Sequence, residues 1–340
     1  MLERWLRNKP LALRRYIIFK KNKLAYGSMF FLLFCTLATF LSPMLANSKP
    51  LLLLSESKIY FPIFIDYTGQ DFAGLENEVG VDYRAMAQDP RYFSVWPLIK
   101  WDPLESNQNL ENFPGAPSKA NWLGTDDRGR DVFVRLLYGF KYSLTYAFLV
   151  WLISAVLGIV TGGTMGYFGG KLDFFGQRVV EVLSTIPLFP LLIILISIFS
   201  PTLFLLIAIS SLFGWIGISY YIRAEFLKFR MREFVEAAKA MGASHTQIIF
   251  KHILPNSLTP IITFAPFAIA GEIVGLASLD YLGFGLQVPT PSWGELLNQA
   301  QKNYSHAWWL ALYPSLALFL VLTALNFIGA GVRDAMDPHA

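Results

Sequence analysis

The sequence predicts an all-α polytopic membrane protein with six transmembrane helices. Of its 340 residues, 54% are hydrophobic and only 15% are charged, and the mean hydropathy is +0.44. Soluble globular domains carry about 25% charged residues, so this composition excludes a disordered chain and argues against an ordinary soluble enzyme. Six stretches are also long and apolar enough to cross a hydrocarbon layer about 30 Å thick as helices.

The six stretches are the predicted spans one to six. In chain order they are Tyr26–Leu45, Tyr142–Gly166, Ser184–Ser200, Thr202–Ile222, Leu258–Leu276 and Ala307–Ile328. The first stretch has a second interpretation as a cleaved signal peptide. Its apolar run of about 20 residues exceeds the usual 7–15, which favours a retained helix.

The placement of lysine and arginine predicts that both termini are cytoplasmic. With six spans, seventeen of these residues fall in the termini and short loops of one side, whereas the short loops of the other side hold only Lys302. Short basic segments stay on the cytoplasmic side of a membrane. The segment between spans one and two is too long for this rule.

The chain divides into four predicted parts. Residues 1–25 mix basic and apolar side chains, which predicts an amphipathic elbow helix in contact with lipid, and Pro10 is expected to start or bend it. A nucleic-acid-binding arm would not need the apolar residues. Residues 26–46 form the first span, residues 47–141 an insertion, and residues 142–335 the other five spans with a loop at 223–256.

The insertion at residues 47–141 is the only sizeable part predicted to lie outside the membrane, on the periplasmic side. It is rich in aromatic side chains and contains six prolines between Pro62 and Pro117. Because proline breaks long helices, we expect short strands and turns. Two roles remain open: a cap on the membrane part, or a platform that receives a soluble partner or guides substrate.

No motif for chemistry is found along the chain. The nearest string to a phosphate-binding loop, Gly166–Leu172, lacks the first glycine and has Leu172 where Ser or Thr is needed. The single cysteine excludes a Cys-based zinc site, and the four histidines argue against a His-rich metal site. No cofactor is expected. The charged cluster at residues 126–131 is interpreted as a salt-bridged turn.

The loop at residues 223–256 predicts two short helices that meet at a glycine. Glu233–Met241 is rich in helix formers, and Gly242 then stands where a left-handed cap would end the helix. Ser244 is expected to cap a second helix that reaches about Lys251, and Pro255 suits an early position in span five. The loop either docks on another protein or simply connects spans four and five.

Three motifs of the chain resemble those of known permeases. Glu236-Ala237-Ala238, with Gly242 four residues further on and Leu254-Pro255 after it, resembles the EAA loop of permease subunits in bacterial ATP-binding-cassette importers. The segments Leu123–Gly139 and Leu279–Leu297 are similar to the C-type subunit of dipeptide and oligopeptide permeases. Ala46–Leu53 and Tyr60–Phe64 resemble the branch that includes microcin C permeases.

This resemblance implies a transport subunit of the inner membrane that performs no chemistry. A second homologous permease subunit, two ATPase subunits, a periplasmic substrate-binding protein and a peptide substrate would be its partners. The ATPase-coupling segment carried over by the resemblance consists of Glu236, Ala237, Ala238, Met241 and Gly242. Two positions depart from the family pattern: Asp280, where Ser is more frequent, and His252, where an aliphatic residue is usual.

Glu272 is an ionisable residue within predicted span five. Such groups are costly in a membrane and usually face a cavity or a partner. Glu272 is a candidate for the transport pathway, where it would meet a peptide amino group, or a structural hydrogen-bonding group, and Gly271 and Gly275 suggest close helix contact beside it.

Two other functional classes remain as alternatives. An ion-coupled secondary transporter would show inverted repeats and intramembrane carboxylates, whereas only Glu272 and no repeat are found. A membrane-anchored scaffold or enzyme would place its function in the insertion.

Overall fold

The computed structural model describes residues 10–55, 58–72 and 81–337. In this part of the chain the fold is helical, with one small antiparallel sheet. The α-helices are α1 (Pro10–Lys21), α2 (Lys23–Phe40), α3 (Ser42–Leu45), α4 (Tyr83–Met86), α5 (Val132–Phe168), α6 (Gly170–Ser184), α7 (Leu188–Ile198), α8 (Leu203–Phe229), α9 (Glu233–Ala240), α10 (His245–Gln247), α11 (Leu254–Ser257), α12 (Thr259–Tyr281), α13 (Trp293–Lys302) and α14 (Trp308–Met336). The strands are β1 (Leu52–Ser55), β2 (Ile59–Tyr60) and β3 (Tyr92–Val95).

The predicted six-span, all-α class is confirmed, with one span in two pieces. Among the described residues, five helices are long and apolar enough to cross a membrane: α2, α5, α8, α12 and α14. Helices α6 and α7 pass the same test only together, and they are bent by 70° at a short break. At most about a third of the apolar window of each single span is buried inside the chain, so the rest needs lipid or a partner to cover it.

The third predicted span, Ser184–Ser200, is not one continuous helix. Helix α7 has 11 residues, a length of about 16 Å, which is roughly half the hydrocarbon thickness. The break falls at Ile186 and Pro187, and Pro187 is extended with φ −71° and ψ 106°. A residue that precedes proline avoids the helical region, so the prediction of an unbroken span was wrong at this point.

Two spans extend further than hydropathy alone indicated. Helix α5 starts ten residues before the predicted Tyr142, because the carboxylate of Asp131 accepts a hydrogen bond from the Val134 amide at 2.9 Å and so caps the helix. Helix α8 continues to Phe229, seven residues beyond the predicted Ile222. The loop before span five therefore begins at Arg230.

The chain consists of two compact units. Among the described residues, the first unit comprises 10–32, 143–287 and 318–337. Its helix α1 is described from Pro10 to Lys21, and residues 1–9 of the predicted elbow lie outside the described part. A methyl group at Gly331 of α14 would meet the ring of Phe19 at 3.2 Å, which shows how closely the elbow lies against the last span.

Helices α5 and α8 of the first unit are in backbone contact along a row of glycines. Gly158, Gly162 and Gly166 follow one another at four-residue intervals on α5. A Cβ at Gly162 would lie 3.0 Å from the Cα of Ser219, and one at Gly166 would lie 2.6 Å from the Arg223 carbonyl oxygen. The absence of side chains at these glycines allows the two helices to pack closely.

Among the described residues, the second unit comprises 33–55, 58–72, 81–142 and 288–317 and contains the sheet. Strand β1 lies between β2 and β3 in the order β2-β1-β3, with Leu53 opposite both Tyr60 and Ser94. A small aromatic core covers one face of the sheet, formed by Leu53, Tyr60, Phe72, Tyr83 and Met86. The strands are short, as the prolines predicted.

Candidate coupling site and membrane cavity

The loop after α8 folds into a compact projection of two short helices. Helix α9 ends in a Schellman motif: the Ala243 amide donates to the Ala238 carbonyl at 3.0 Å and the Gly242 amide to the Lys239 carbonyl at 2.9 Å. Gly242 has φ +83°, a left-handed conformation that glycine adopts without steric cost. The predicted glycine cap is confirmed in its geometry.

A capping box starts the second helix at the predicted residue. The Ser244 hydroxyl accepts a hydrogen bond from the Gln247 amide at 3.3 Å, and the Gln247 side chain accepts one from the Ser244 amide at 3.0 Å. The helix is regular only as far as Gln247. From Ile248 to Ile253 it widens into a π-helix, a form often found at functional sites, and His252 lies inside this segment.

The projection has one buried and one exposed face. Val235, Ala238 and Ile248 are buried, and Val235 and Ile248 belong to a core cluster that also contains Phe226 of α8. Of the five predicted coupling residues, Glu236, Ala237, Met241 and Gly242 are exposed, and the Met241 side chain is 81% exposed. Ala238 is the exception, because it lies in the hairpin interior and cannot contact a partner directly.

Polar contacts link the base of the projection to α5, and α8, which leads into the projection, to α6. The Tyr167 hydroxyl, at the end of α5, lies 2.7 Å from Nδ1 of His245. Arg230 donates to the Tyr167 carbonyl at 3.1 Å. Arg223 of α8 forms a two-bonded ion pair with Asp173 of α6, with one of the bonds at 2.7 Å. A force on the projection is therefore transmitted to α5, α6 and α8 together.

Glu272 lines a cavity of about 390 Å³ within the first unit. The cavity lies between α5, α8 and α12 and is lined by Trp151, Ser154, Gly214, Gly217, Ile218, Tyr221, Pro260, Ile261, Phe264, Phe267, Ala268 and Glu272. Helix α12 runs on to Tyr281, so Glu272 lies nine residues from its end, about 14 Å along the axis. This is closer to the middle of the span than the predicted boundary indicated.

The predicted helix contact at Gly271 and Gly275 is not made by any residue that the structure describes. A methyl group added at either glycine would meet nothing within 4 Å. Asp280, by contrast, is buried and its carboxylate accepts a hydrogen bond from the Leu286 amide at 2.6 Å. The Asp280 side chain thus closes the turn after α12.

A buried ion cluster in the second unit was only half foreseen from the sequence. The predicted salt-bridged turn is present, because Arg130 pairs with Asp126 at 2.6 Å and both side chains are almost fully buried. Arg135 and Glu295 complete the cluster: Arg135 contacts Asp126 at 3.3 Å and also pairs with Glu295. Burial also raises the pKa of the neighbouring Asp131 carboxyl above its usual value.

The two permease-like motifs meet at this cluster. Asp126, Arg130 and Arg135 belong to one motif, and Glu295 belongs to the other, about 160 residues further along the chain. Within the cluster, Asp126, Arg130 and Arg135 together carry one excess positive charge, and Glu295 balances it. In the part of the chain that the structure describes, no group of three His, Cys, Asp or Glu side chains is placed to hold a metal.

The spans, the small sheet-bearing unit and the exposed hairpin define a class of protein, the membrane-embedded subunit of a transport system. Residues 155–340 match the family described as binding-protein-dependent transport system inner membrane component. The chain belongs to this family. It is therefore a multi-pass inner-membrane permease subunit of an importer, and membership implies partners of two general kinds, a substrate-binding protein and an ATPase.

Similar proteins extend over nearly the whole chain. The inner membrane ABC transporter permease protein YejE of Escherichia coli (strain K12) is 39% identical over 98% of each chain. The peptidoglycan transport system permease protein YejE of Agrobacterium fabrum is 35% identical over 97% of this chain and 93% of its own length. The dipeptide transport system permease protein DppC of Alkalihalophilus pseudofirmus is 37% identical over 68% of this chain and 76% of its own.

One solved structure supports the fold. A chain of the MetNI methionine ABC transporter, in an inward-facing conformation, aligns with a TM-score of 0.51 at 20% identity and covers 60% of this chain and 97% of its own length. Family membership decides between the three predicted functional classes: the chain is a permease subunit, and the secondary transporter and the anchored scaffold are set aside.

Proposed function

We propose that this chain forms one half of a passage for peptides or peptide-like compounds and that the hairpin at residues 233–253 receives a separate ATPase subunit. The names of three similar permeases refer to ABC transport, to peptidoglycan transport and to dipeptide transport. The observation that carries the coupling role is the hairpin itself, which is exposed at its tip and held firmly at its base.

The tip offers a mixed surface to a partner. Met241 provides an exposed apolar side chain, while the carboxylate of Glu236 makes no ion pair or hydrogen bond within the described residues. An unpaired charge beside a flexible apolar side chain suits a groove with a basic rim. In this proposal, Glu236, Ala237, Met241 and Gly242 touch the ATPase, whereas Ala238 keeps the hairpin closed.

The proposal also includes the orientation of the chain in the membrane and a second permease as its partner there. The hairpin lies on the cytoplasmic side with both termini, because the basic residues of the short loops lie on that side. A second, homologous permease covers the spans whose apolar surface this chain leaves open, including the α12 face at Gly271 and Gly275. The insertion then faces the periplasm, where a binding protein delivers substrate.

The test exploits two glycines with the same backbone conformation. Gly242 and Gly283 have φ +83° and +82°, and each amide donates to the carbonyl three residues before it. Nothing lies within 4 Å of a methyl group at either position. Proline cannot adopt positive φ and has no amide hydrogen, so Gly242→Pro and Gly283→Pro impose the same local defect at two different sites.

The measurements are co-purification of the ATPase subunits with the permease pair and ATP-driven peptide uptake in vesicles. We expect Gly242→Pro to lose both while remaining inserted in the membrane, and Gly283→Pro to keep the ATPase bound. Loss of the ATPase from both variants, or from neither, would refute the hairpin as docking site. Uptake that persists without ATP would refute the transport proposal itself.

A further inference from the structure

The cavity beside Glu272 has the composition of a binding site for an organic cation. It is a partly open cavity between helices α5, α8 and α12 of one compact unit, and its volume of about 390 Å³ falls within the range of small-molecule sites in proteins. Its wall is largely apolar and aromatic, with Trp151, Tyr221, Phe264 and Phe267 among the lining residues. Aromatic faces attract ammonium groups that have lost their water.

Glu272 is the one acidic side chain in this wall, and no Lys, Arg or His lines the cavity. Within the described residues its carboxylate makes no ion pair and no hydrogen bond. The cost of an ionised group in the middle of a span is several kcal/mol unless a counter-charge is present. A cationic ligand bound in the cavity would supply such a counter-charge.

A second polar group in the wall is also unsatisfied. The hydroxyl of Ser154 is buried and has no hydrogen-bond partner among the residues that the structure describes, and Ser154 lines the same cavity. Buried polar groups are nearly always paired in folded proteins. A hydroxyl acceptor and a carboxylate that line the same cavity match a donor with several hydrogens.

We propose that Glu272 binds the α-ammonium group of the peptide during its passage, with the Ser154 hydroxyl as a second acceptor and the aromatic walls around the first peptide residue. This proposal rests on the proposed function as a peptide permease. A divalent metal is a poor occupant, because such ions require several oxygen ligands. The ammonium is present in every unmodified peptide, so the site recognises the class of substrate rather than one sequence.

The experiment compares pairs of peptides that differ only in a free or an acetylated N-terminus. The assembled transporter with its binding protein is reconstituted, and kcat/KM of ATP-dependent uptake is measured for wild type, Glu272→Gln and Glu272→Asp. The same binding protein is used throughout, so its own preference for free N-termini cancels when variants are compared. Glu181→Gln is the matched control. Glu181 lies on α6 rather than on α12, and its exposed side chain pairs with Arg178 of the same helix at 2.6 Å.

We expect Glu272→Gln to lower uptake of free peptides about tenfold more than uptake of acetylated ones, which is the size of one charge-assisted hydrogen bond. Glu272→Asp should retain most of the discrimination, and Glu181→Gln should leave it unchanged. Wild-type ATP-dependent uptake in the same assay separates this inference from the proposed function, which fails only if wild type transports no peptide.

Three results would overturn the inference while leaving the transport function intact. Equal losses for both peptides would show that Glu272 supports uptake without recognising the peptide ammonium group. Unchanged uptake would show that the carboxylate has no role in the passage. Failure of the Glu272→Gln chain to assemble with its partners would show that its role is structural.

Discussion

Arg135 is the residue whose removal gives the sharpest test of the structure. Its side chain is fully buried between Asp126 and Glu295, which are 0% and 13% exposed. Replacing it by methionine keeps the aliphatic length but leaves two carboxylates with Arg130 as their remaining cation. Breaking a buried ion pair from one side costs about 3–5 kcal/mol, because the other charge stays buried without compensation.

The matched control is a pair that the structure places at the surface. Arg178 and Glu181 are 64% and 45% exposed, and ion pairs of this kind contribute about 0–1 kcal/mol. We therefore expect Arg135→Met to lower the free energy of unfolding by at least about 3 kcal/mol and Arg178→Met by less than about 1 kcal/mol. Unfolding of the purified transporter in mixed micelles with increasing dodecyl sulfate, followed by tryptophan fluorescence, gives both values.

A double-mutant cycle tests the charge argument itself. When Glu295→Gln is added to Arg135→Met, the remaining Arg130 and Asp126 balance each other at 2.6 Å. The double variant should then be more stable than the sum of the single effects predicts, by at least about 1 kcal/mol. Additive losses, or an Arg135→Met effect no larger than that of Arg178→Met, would refute the interpretation of the cluster as mutually compensating charges.

Two further predictions concern the path from the hairpin into the membrane. Gly162→Leu should separate α5 from α8 and abolish uptake, because even a Cβ there would lie 3.1 Å from the Arg223 backbone nitrogen. Gly27→Leu is the control and should be tolerated, because a methyl group at Gly27 meets nothing within 4 Å. Tyr167→Phe removes the hydrogen bond to His245 and should cost about 1 kcal/mol, seen as faster amide exchange at residues 233–253. Tyr220→Phe should leave that exchange unchanged.

The contacts suggest how movement at the hairpin reaches the spans. Val235 and Ile248 pack on α8, and α8 is in backbone contact with α5 through its glycines. Tightly packed helices shift as rigid bodies because their interfaces do not deform gradually. An ATPase that moves the hairpin would therefore displace α5 and α8 together, and both helices line the cavity that contains Glu272.

The sequence by itself determined the features that depend on neighbouring residues. Hydropathy located the spans, because lipid selects apolar helices wherever they occur. Gly242 and Ser244 predicted the two ends that meet in the hairpin, since left-handed caps and capping boxes are formed by residues within one turn. The prolines of the insertion predicted its short strands, and Pro187 could have indicated the break in the third span.

Only the tertiary structure decided which distant groups meet. Glu295 neutralises Arg135 from 160 residues away, and no local pattern in either motif specifies that pairing. The cavity at Glu272 depends on three helices that meet there, and two of them, α5 and α8, are held close together by glycine contacts. Burial also distinguishes two chemically identical residues of the predicted coupling segment, because Ala237 is exposed and Ala238 is buried. Long-range charge balance and solvent exclusion arise from packing, which the sequence encodes only through the whole fold.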